Sequence, residues 1–218
     1  MGTTVPSRFR RLAALIALFT SGMGISSFSP VSAQAHGDRT RGSRTLAGRI
    51  PIVIETELGD IRAELDSARA PITVTNFLRY VDAGLYDGAR FFRSVRMDNQ
   101  PDDSIKIQVI QVALSRENGR KEFPPIRLER TSETGLRHVD GALSMARWGP
   151  DTGTSSFSIV IGRQPSMDYG GMRNPDGQGF AVFGRVTDGM ELVRRIQARP
   201  TEGQQLVSPV RILTIRRK

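Results

Sequence analysis

Few side chains in this 218-residue chain could carry covalent or metal chemistry. It holds no cysteine, which removes thiolate nucleophiles, disulfides and thiolate-held metals. Histidine occurs twice, at His36 and His138. His138 lies in Leu136-Arg-His-Val-Asp140, where a lone histidine reads as structural rather than catalytic. No G-x-S-x-G elbow accompanies it. The usual zinc ligands are missing, and so is the G-x-x-x-x-G-K-[ST] loop that cradles phosphates. The glycines of Gly170–Gly179 have no strand-to-helix context and read as an irregular surface loop. Covalent, metal-assisted and nucleotide-dependent catalysis are therefore disfavoured, and neither a metal nor a cofactor is expected. What remains is binding, or catalysis by binding alone.

The elements that would position such a site are mostly strands. Ile50–Leu58 is rich in β-branched residues, Gly59-Asp60 interrupts it, and Ile61–Leu65 alternates again, the pattern of a hairpin. Ala70-Pro71 opens a helix whose apolar residues Val74, Phe77, Leu78 and Val81 fall at i, i+3, i+4 and i+7; Gly84 ends it. Further strands are expected at Arg90–Val95, Ile105–Leu114, Ile126–Glu129, Gly141–Arg147, Phe157–Gly162, Phe180–Val186 and Val210–Arg216. A second helix is expected over Asp188–Ala198, with Leu192, Val193 and Ile196 on one face. Many short strands with two helices argue for a closed barrel or a sandwich. Closure would pair the first and last strands and leave no exposed edge, with the two helices plugging the two mouths.

The N-terminus reads as an address. Arg8-Phe-Arg-Arg11 precedes the apolar run Leu12–Phe19, and small and polar residues lead to Ala33-Gln-Ala35. That is the order of a secretory signal peptide over 1–35; a retained anchor is the competing reading. The apolar run falls short of the roughly 20 residues of a membrane span. Residues 36–48 lack an apolar period and read as a flexible linker. The folded domain is expected over 49–218. An exported protein, processed to a form without a membrane span, follows; the periplasm is the expected destination, with secretion as the alternative. The formal charge is +9, and removal of the first 35 residues leaves about +6. Acids are interspersed throughout, so the charge reads as a solvated basic face and no nucleic-acid partner is expected. No heptad or dimer seam is visible, which points to a monomer.

Several segments, taken in order, resemble the cyclophilin family. They are Ile54–Arg62; Ala70–Gly88 with its Asn76-Phe77 pair and Tyr86-Asp-Gly88 exit; Phe91-Phe-Arg93; Val109-Ile-Gln111; Gly141–Ala146; Thr154–Phe157; and Phe180–Val186 followed by Asp188-Gly-Met190. Together they cover about residues 50–217. The resemblance implies a mainly β fold, a closed eight-stranded antiparallel barrel capped by two α-helices. It also implies a peptidyl-prolyl cis/trans isomerase acting without cofactor on proline-containing or unfolding polypeptides. The family's catalytic arginine maps onto Arg93, its polar groove residue onto Gln111, and its substrate-contacting backbone onto Ala146, Arg147 and Trp148. Phe92, Val109, Met145, Ser156, Ser158, Met167 and Phe180 complete the implied substrate-binding set.

The chain departs from the family pattern at that groove. Ser158 stands where the family usually has the phenylalanine that floors the proline pocket, and Ser156 where glutamine is common. Val109 replaces a usual methionine, and Val112-Ala113 replaces Gly-Gly. These substitutions predict a weak or selective isomerase. Alternatives are a module that holds proline peptides without turnover, or an interaction module that docks an anionic envelope component through its basic face.

Overall fold

A computed structural model describes residues 48–100, 104–115 and 122–218. The segments read above as signal peptide and linker lie outside the described residues, apart from Gly48.

Strand β1 (Arg49–Thr56) turns into β2 (Gly59–Asp66) through Glu57-Leu58. The Thr56 hydroxyl fastens that turn, donating to the Gly59 carbonyl (2.7 Å) and accepting from the Leu58 amide (3.1 Å). Alternation sends Ile52, Ile54, Ile61, Ala63 and Leu65 into the core. Helix α1 (Pro71–Asp82) follows, then β3 (Arg90–Val95), β4 (Val109–Ala113), a single turn α2 (Thr131–Thr134), β5 (Ala142–Met145), β6 (Phe157–Val160), a 3₁₀ turn at Pro165–Met167, β7 (Ala181–Asp188), α3 (Met190–Gln197), β8 (Thr201–Glu202) and β9 (Gln205–Arg217). All pairings are antiparallel, in the order β1-β2-β7-β5-β6-β4-β3-β9, and β9 pairs back onto β1. Eight strands therefore close a barrel. The two-residue β8 pairs with β9 alone among the described strands.

The helices bury the faces their periodicity predicts: Val74, Phe77, Leu78 and Val81 from α1, and Leu192, Val193 and Ile196 from α3. They join the strand residues in one core, where Phe77 meets Tyr86, Phe157 and Phe183 with ring centres 5.2–5.4 Å apart. Gly84, at φ +60°, returns the chain after α1.

Three expectations change. A third, one-turn helix, α2, joins the two anticipated ones. Ile126–Glu129 is not a strand but forms one bridge, Ile126 to Gly153. Its polar groups go elsewhere: the Leu128 amide donates to Asp151 Oδ1 (2.8 Å), and the Glu129 carboxylate caps α1, accepting from the amides of Ile72 (3.0 Å) and Thr73 (2.8 Å) and from the Thr73 hydroxyl (2.7 Å). The last strand starts at Gln205 rather than Val210, because a tight Gly203-Gln204 turn launches it from β8.

Candidate active site

The site begins with a row of four side chains lying side by side across the sheet. Arg93 of β3 is paired with Gln111 of β4, Gln111 with Ser158 of β6, and Ser158 with Ser144 of β5. Their strand neighbours Ile110, Val112, Phe157, Ile159 and Leu143 point into the core, so the period of two puts this row on the outer face. A cleft of about 410 Å³ opens over it. A smaller apolar cluster supports the same face, and its members Val109, Ile107 and Met167 reach the cleft along with Phe180.

Arg93 is held from two sides. Its Nη1 donates to Gln111 Oε1 (2.9 Å), and its Nε donates to Gln204 Oε1 (2.9 Å), which also accepts from Nη2. Gln111 is oriented in turn: its amide nitrogen donates to the Ser156 hydroxyl (3.0 Å), which donates to the Val112 carbonyl (2.7 Å). The guanidinium is thus fixed in place yet remains half-buried and on the cleft. A β-bulge between Phe91 and Arg93 sets its direction, since both neighbouring strands shift register there.

The opposite end of the row is anchored below the surface. Ser144 Oγ lies 2.9 Å from His138 Nε2, and His138 Nδ1 lies 2.7 Å from Asp168 Oδ1. The same carboxylate oxygen accepts from the His138 amide (3.1 Å). Burial pushes the imidazole pKa down, against the pull of Asp168. The Asp168 carboxyl, which burial alone would raise, is brought below its ordinary value by the His138 ring and amide and by Arg137. A neutral ring that donates from Nδ1 therefore accepts the Ser144 hydroxyl proton at Nε2. Asp168 directly follows Met167, so this relay ties the strand under the cleft to the turn that carries one of its walls.

Arg147 and the loop after Asp168 build another wall. The Arg147 side chain is 2% exposed and forms two bonds to the Asp176 carboxylate (2.7 and 2.8 Å) and one to the Gly179 carbonyl (2.7 Å), with its guanidinium 5.3 Å from the centre of the Phe180 ring. That contact holds the Asp176 carboxyl at a pKa of about 2. Trp148, by contrast, is 97% exposed while lining the cleft.

Of the residues expected at the site, Arg93, Val109, Gln111, Met145, Ala146, Arg147, Trp148, Ser158, Met167 and Phe180 line this one cleft. Ser156 does not line it; it stands behind Gln111 as its hydrogen-bond partner. Phe92 does not line it either, because it is the extra residue of the bulge and has no cross-strand partner. Sequence reading missed Ser144, Ile107, the rim residues Arg173, Asn174 and Pro175, and Gln204. Ser144 could have been found from its place in the Gly141–Ala146 segment. Gln204 carried no signal, since its partner is 111 positions away.

Comparison with known proteins points to one family. Residues 51–217 match the family model described as cyclophilin type peptidyl-prolyl cis-trans isomerase/CLD. Peptidyl-prolyl cis-trans isomerase A of Dickeya dadantii is 33% identical over 152 residues, covering 69% of this chain and 73% of its own. A peptidyl-prolyl cis-trans isomerase of Streptomyces antibioticus is 32% identical over 147 residues, covering 67% and 82%. Among solved structures, a cyclophilin type isomerase of Cryptosporidium parvum superposes with a TM-score of 0.63 at 21% identity, covering 78% of this chain and 98% of that one.

Proposed function

This chain belongs to the cyclophilin-type peptidyl-prolyl cis-trans isomerase family, and from that premise we propose that Arg93 is its catalytic residue and that the serine-floored cleft makes it a weak or selective isomerase of exported polypeptides. The observation that carries the proposal is the Arg93 guanidinium, pinned between Gln111 and Gln204 on the wall of an open cleft.

Rotation about an Xaa-Pro bond is slow because amide resonance must be broken, at a barrier of roughly 18–20 kcal/mol. No covalent bond is made or cut. The catalyst need only hold the twisted amide more tightly than either planar form. On twisting, the prolyl nitrogen regains its lone pair, and a fixed guanidinium can donate to it or grip the neighbouring carbonyl. Arginine suits this, being always charged and rich in donors. Because Gln111 and Gln204 already fix it, little reorganisation is left for the moment of reaction.

A thousandfold acceleration needs about 4 kcal/mol, and one charge-assisted hydrogen bond contributes about 1.5–3 kcal/mol. The rest must come from gripping the proline ring. Val109, Met167 and Phe180 are apolar walls for it, whereas Ser158 offers a hydroxyl where the family usually has a phenyl floor. One missing buried aromatic contact is worth about 1.5–3 kcal/mol, or roughly ten- to a hundredfold in kcat/KM.

The test is a protease-coupled or exchange assay on Xaa-Pro peptides. Arg93→Ala should lower kcat/KM by roughly 10- to 100-fold, and Ser158→Phe should raise it. Activity unchanged in Arg93→Ala would remove the arginine from the mechanism. The serine floor also favours a second reading, a domain that holds proline peptides without useful turnover. Broadened peptide signals without faster cis/trans exchange would select it.

The N-terminal pattern of a basic stretch, a short apolar run and Ala33-Gln-Ala35 supports export with cleavage after residue 35. The expected product is a monomeric domain over 49–218 behind a short linker. Among the described residues no helix is long and apolar enough to cross a membrane.

A further inference from the structure

A second hollow, of about 260 Å³, opens elsewhere on the barrel, where the ends of β1 and β2 approach β7, β5 and the segment after α2. Its residues overlap with none that line the cleft above Arg93. The floor includes Ala142 and Val182, both from the outer apolar cluster. Four arginines line it: Arg49, Arg69, Arg137 and Arg185. Among the lining residues only Asp66 is acidic.

The existing ion pairs leave this hollow positive. Asp66 is 3% exposed and accepts from Arg69 Nε (2.8 Å), with Arg69 Nη2 at 2.6 Å and Arg49 Nη2 at 3.5 Å. One carboxylate cannot neutralise two guanidiniums. Arg137 reaches Asp168 only at 3.8 Å, with its own side chain 56% exposed. Arg185 donates to the Asp140 carbonyl (3.2 Å) and pairs with no carboxylate among the described residues. After Asp66 is counted, the lining carries a net charge of about three positive units. Like-charged guanidiniums around one concavity repel one another, a cost that an anion relieves, and their planar forks match oxygen-rich anions two donors at a time. A single carboxylate would occupy one fork. A multivalent oxyanion can engage several and balance the charge.

We propose that this hollow is an anion site for a small multivalent oxyanion, phosphate or pyrophosphate. It is separate from the isomerase cleft and does not depend on the isomerase assignment. Arg69 and Arg49 are committed to holding the buried Asp66, while Arg137 and Arg185 are the guanidiniums that turn to the ligand.

The chain carries a formal charge of +9, so the test must separate a site from general attraction. The full chain is titrated with inorganic pyrophosphate by calorimetry at about 0.15 M salt, where distant charges are screened. One-to-one binding is expected. Arg137→Gln combined with Arg185→Gln should weaken it at least about tenfold, the loss of about one charge-assisted contact. Arg163→Gln combined with Arg195→Gln removes the same charge from exposed positions outside the hollow and should change binding less than about twofold. Loss of binding in both pairs alike, or no one-to-one binding by the wild-type chain at millimolar pyrophosphate, overturns the proposal. Arg185→Gln alone leaves the Arg137–Asp168 pair intact and serves if the double variant does not fold. The melting temperature of the wild-type chain should also rise with pyrophosphate, as linkage requires of any ligand that binds only the folded state; no rise counts against the site.

Discussion

Arg93 shows how far a single residue can be read without its surroundings. Its type and its Phe-Phe-Arg context marked it, and the resemblance supplied a role. Its orientation depends on Gln204, a residue in a turn just before the last strand. Nothing in local composition reveals a contact that exists only after the barrel has brought the ends of the domain together. The side-chain oxygen Oε1 of Gln204 accepts from both Nε and Nη2 of the guanidinium, so Gln204 is a positioning residue that need not touch the substrate. Gln204→Ala should therefore lower kcat about three- to tenfold, within the range of about one lost hydrogen bond, and leave KM nearly unchanged. Gln204→Glu, which retains the accepting oxygens, should recover much of it. Steady-state kinetics that separate the two constants decide this. A rise in KM with kcat intact would instead put Gln204 in contact with the peptide.

At the scale of elements, periodicity was a good guide wherever an element is half-buried. The hairpin of β1 and β2, and the apolar faces of α1 and α3, follow from alternation and from i, i+3, i+4 spacing because one side of each meets the core. Ile126-Arg-Leu-Glu129 misled for the same reason: it alternates apolar and charged residues as a half-buried strand does, but beyond the single bridge to Gly153 its Leu128 amide goes to Asp151 and its Glu129 carboxylate to the start of α1. Glu129 has the more important task. Helix α1 has no side-chain cap of its own at Ala70, and Glu129, 57 positions after Ile72, closes its first turn with a buried carboxylate. A negative charge against a helix N-terminus is favourable, and burial makes its hydrogen bonds hard to replace. Glu129→Gln should destabilise the domain by about 1.5–3 kcal/mol, read as a lower denaturant midpoint with an unchanged slope. Stability equal to wild type would mean that neutral hydrogen bonds suffice at this cap.

For the whole molecule, many short strands left a barrel and a sandwich equally open, and the family resemblance selected closure; β9 does return to β1. The walls contributed by the loop between Asp168 and Phe180 were not legible, since an irregular segment has no period to read. The relay beneath the cleft gives the domain a characteristic acid response. His138 is the only histidine in 49–218, and burial lowers its pKa in the folded state. The unfolded chain then binds more protons than the folded one just below the ordinary histidine value, so stability falls with pH there. It should be full above about pH 6.5 and decline as pH drops through the window down to the folded-state pKa. Asp168, whose pKa is also lowered, adds a separate loss beginning below the usual carboxylate range. Thermal melts between pH 8 and pH 5, near those reference values, should show the decline in the wild-type chain and little of it in His138→Gln. A melting temperature that stays level in the wild type would mean that the imidazole titrates alike in both states.

Trp148 is the chain's sole tryptophan, and it stands in water at the edge of the cleft. Its emission is therefore a built-in optical probe of a single place on the molecule, free of background from any other indole. Light from the empty protein should be red-shifted and readily quenched by acrylamide. A peptide lying across the groove would shield the ring and turn that light toward the blue, so occupancy can be followed in real time without attaching a dye.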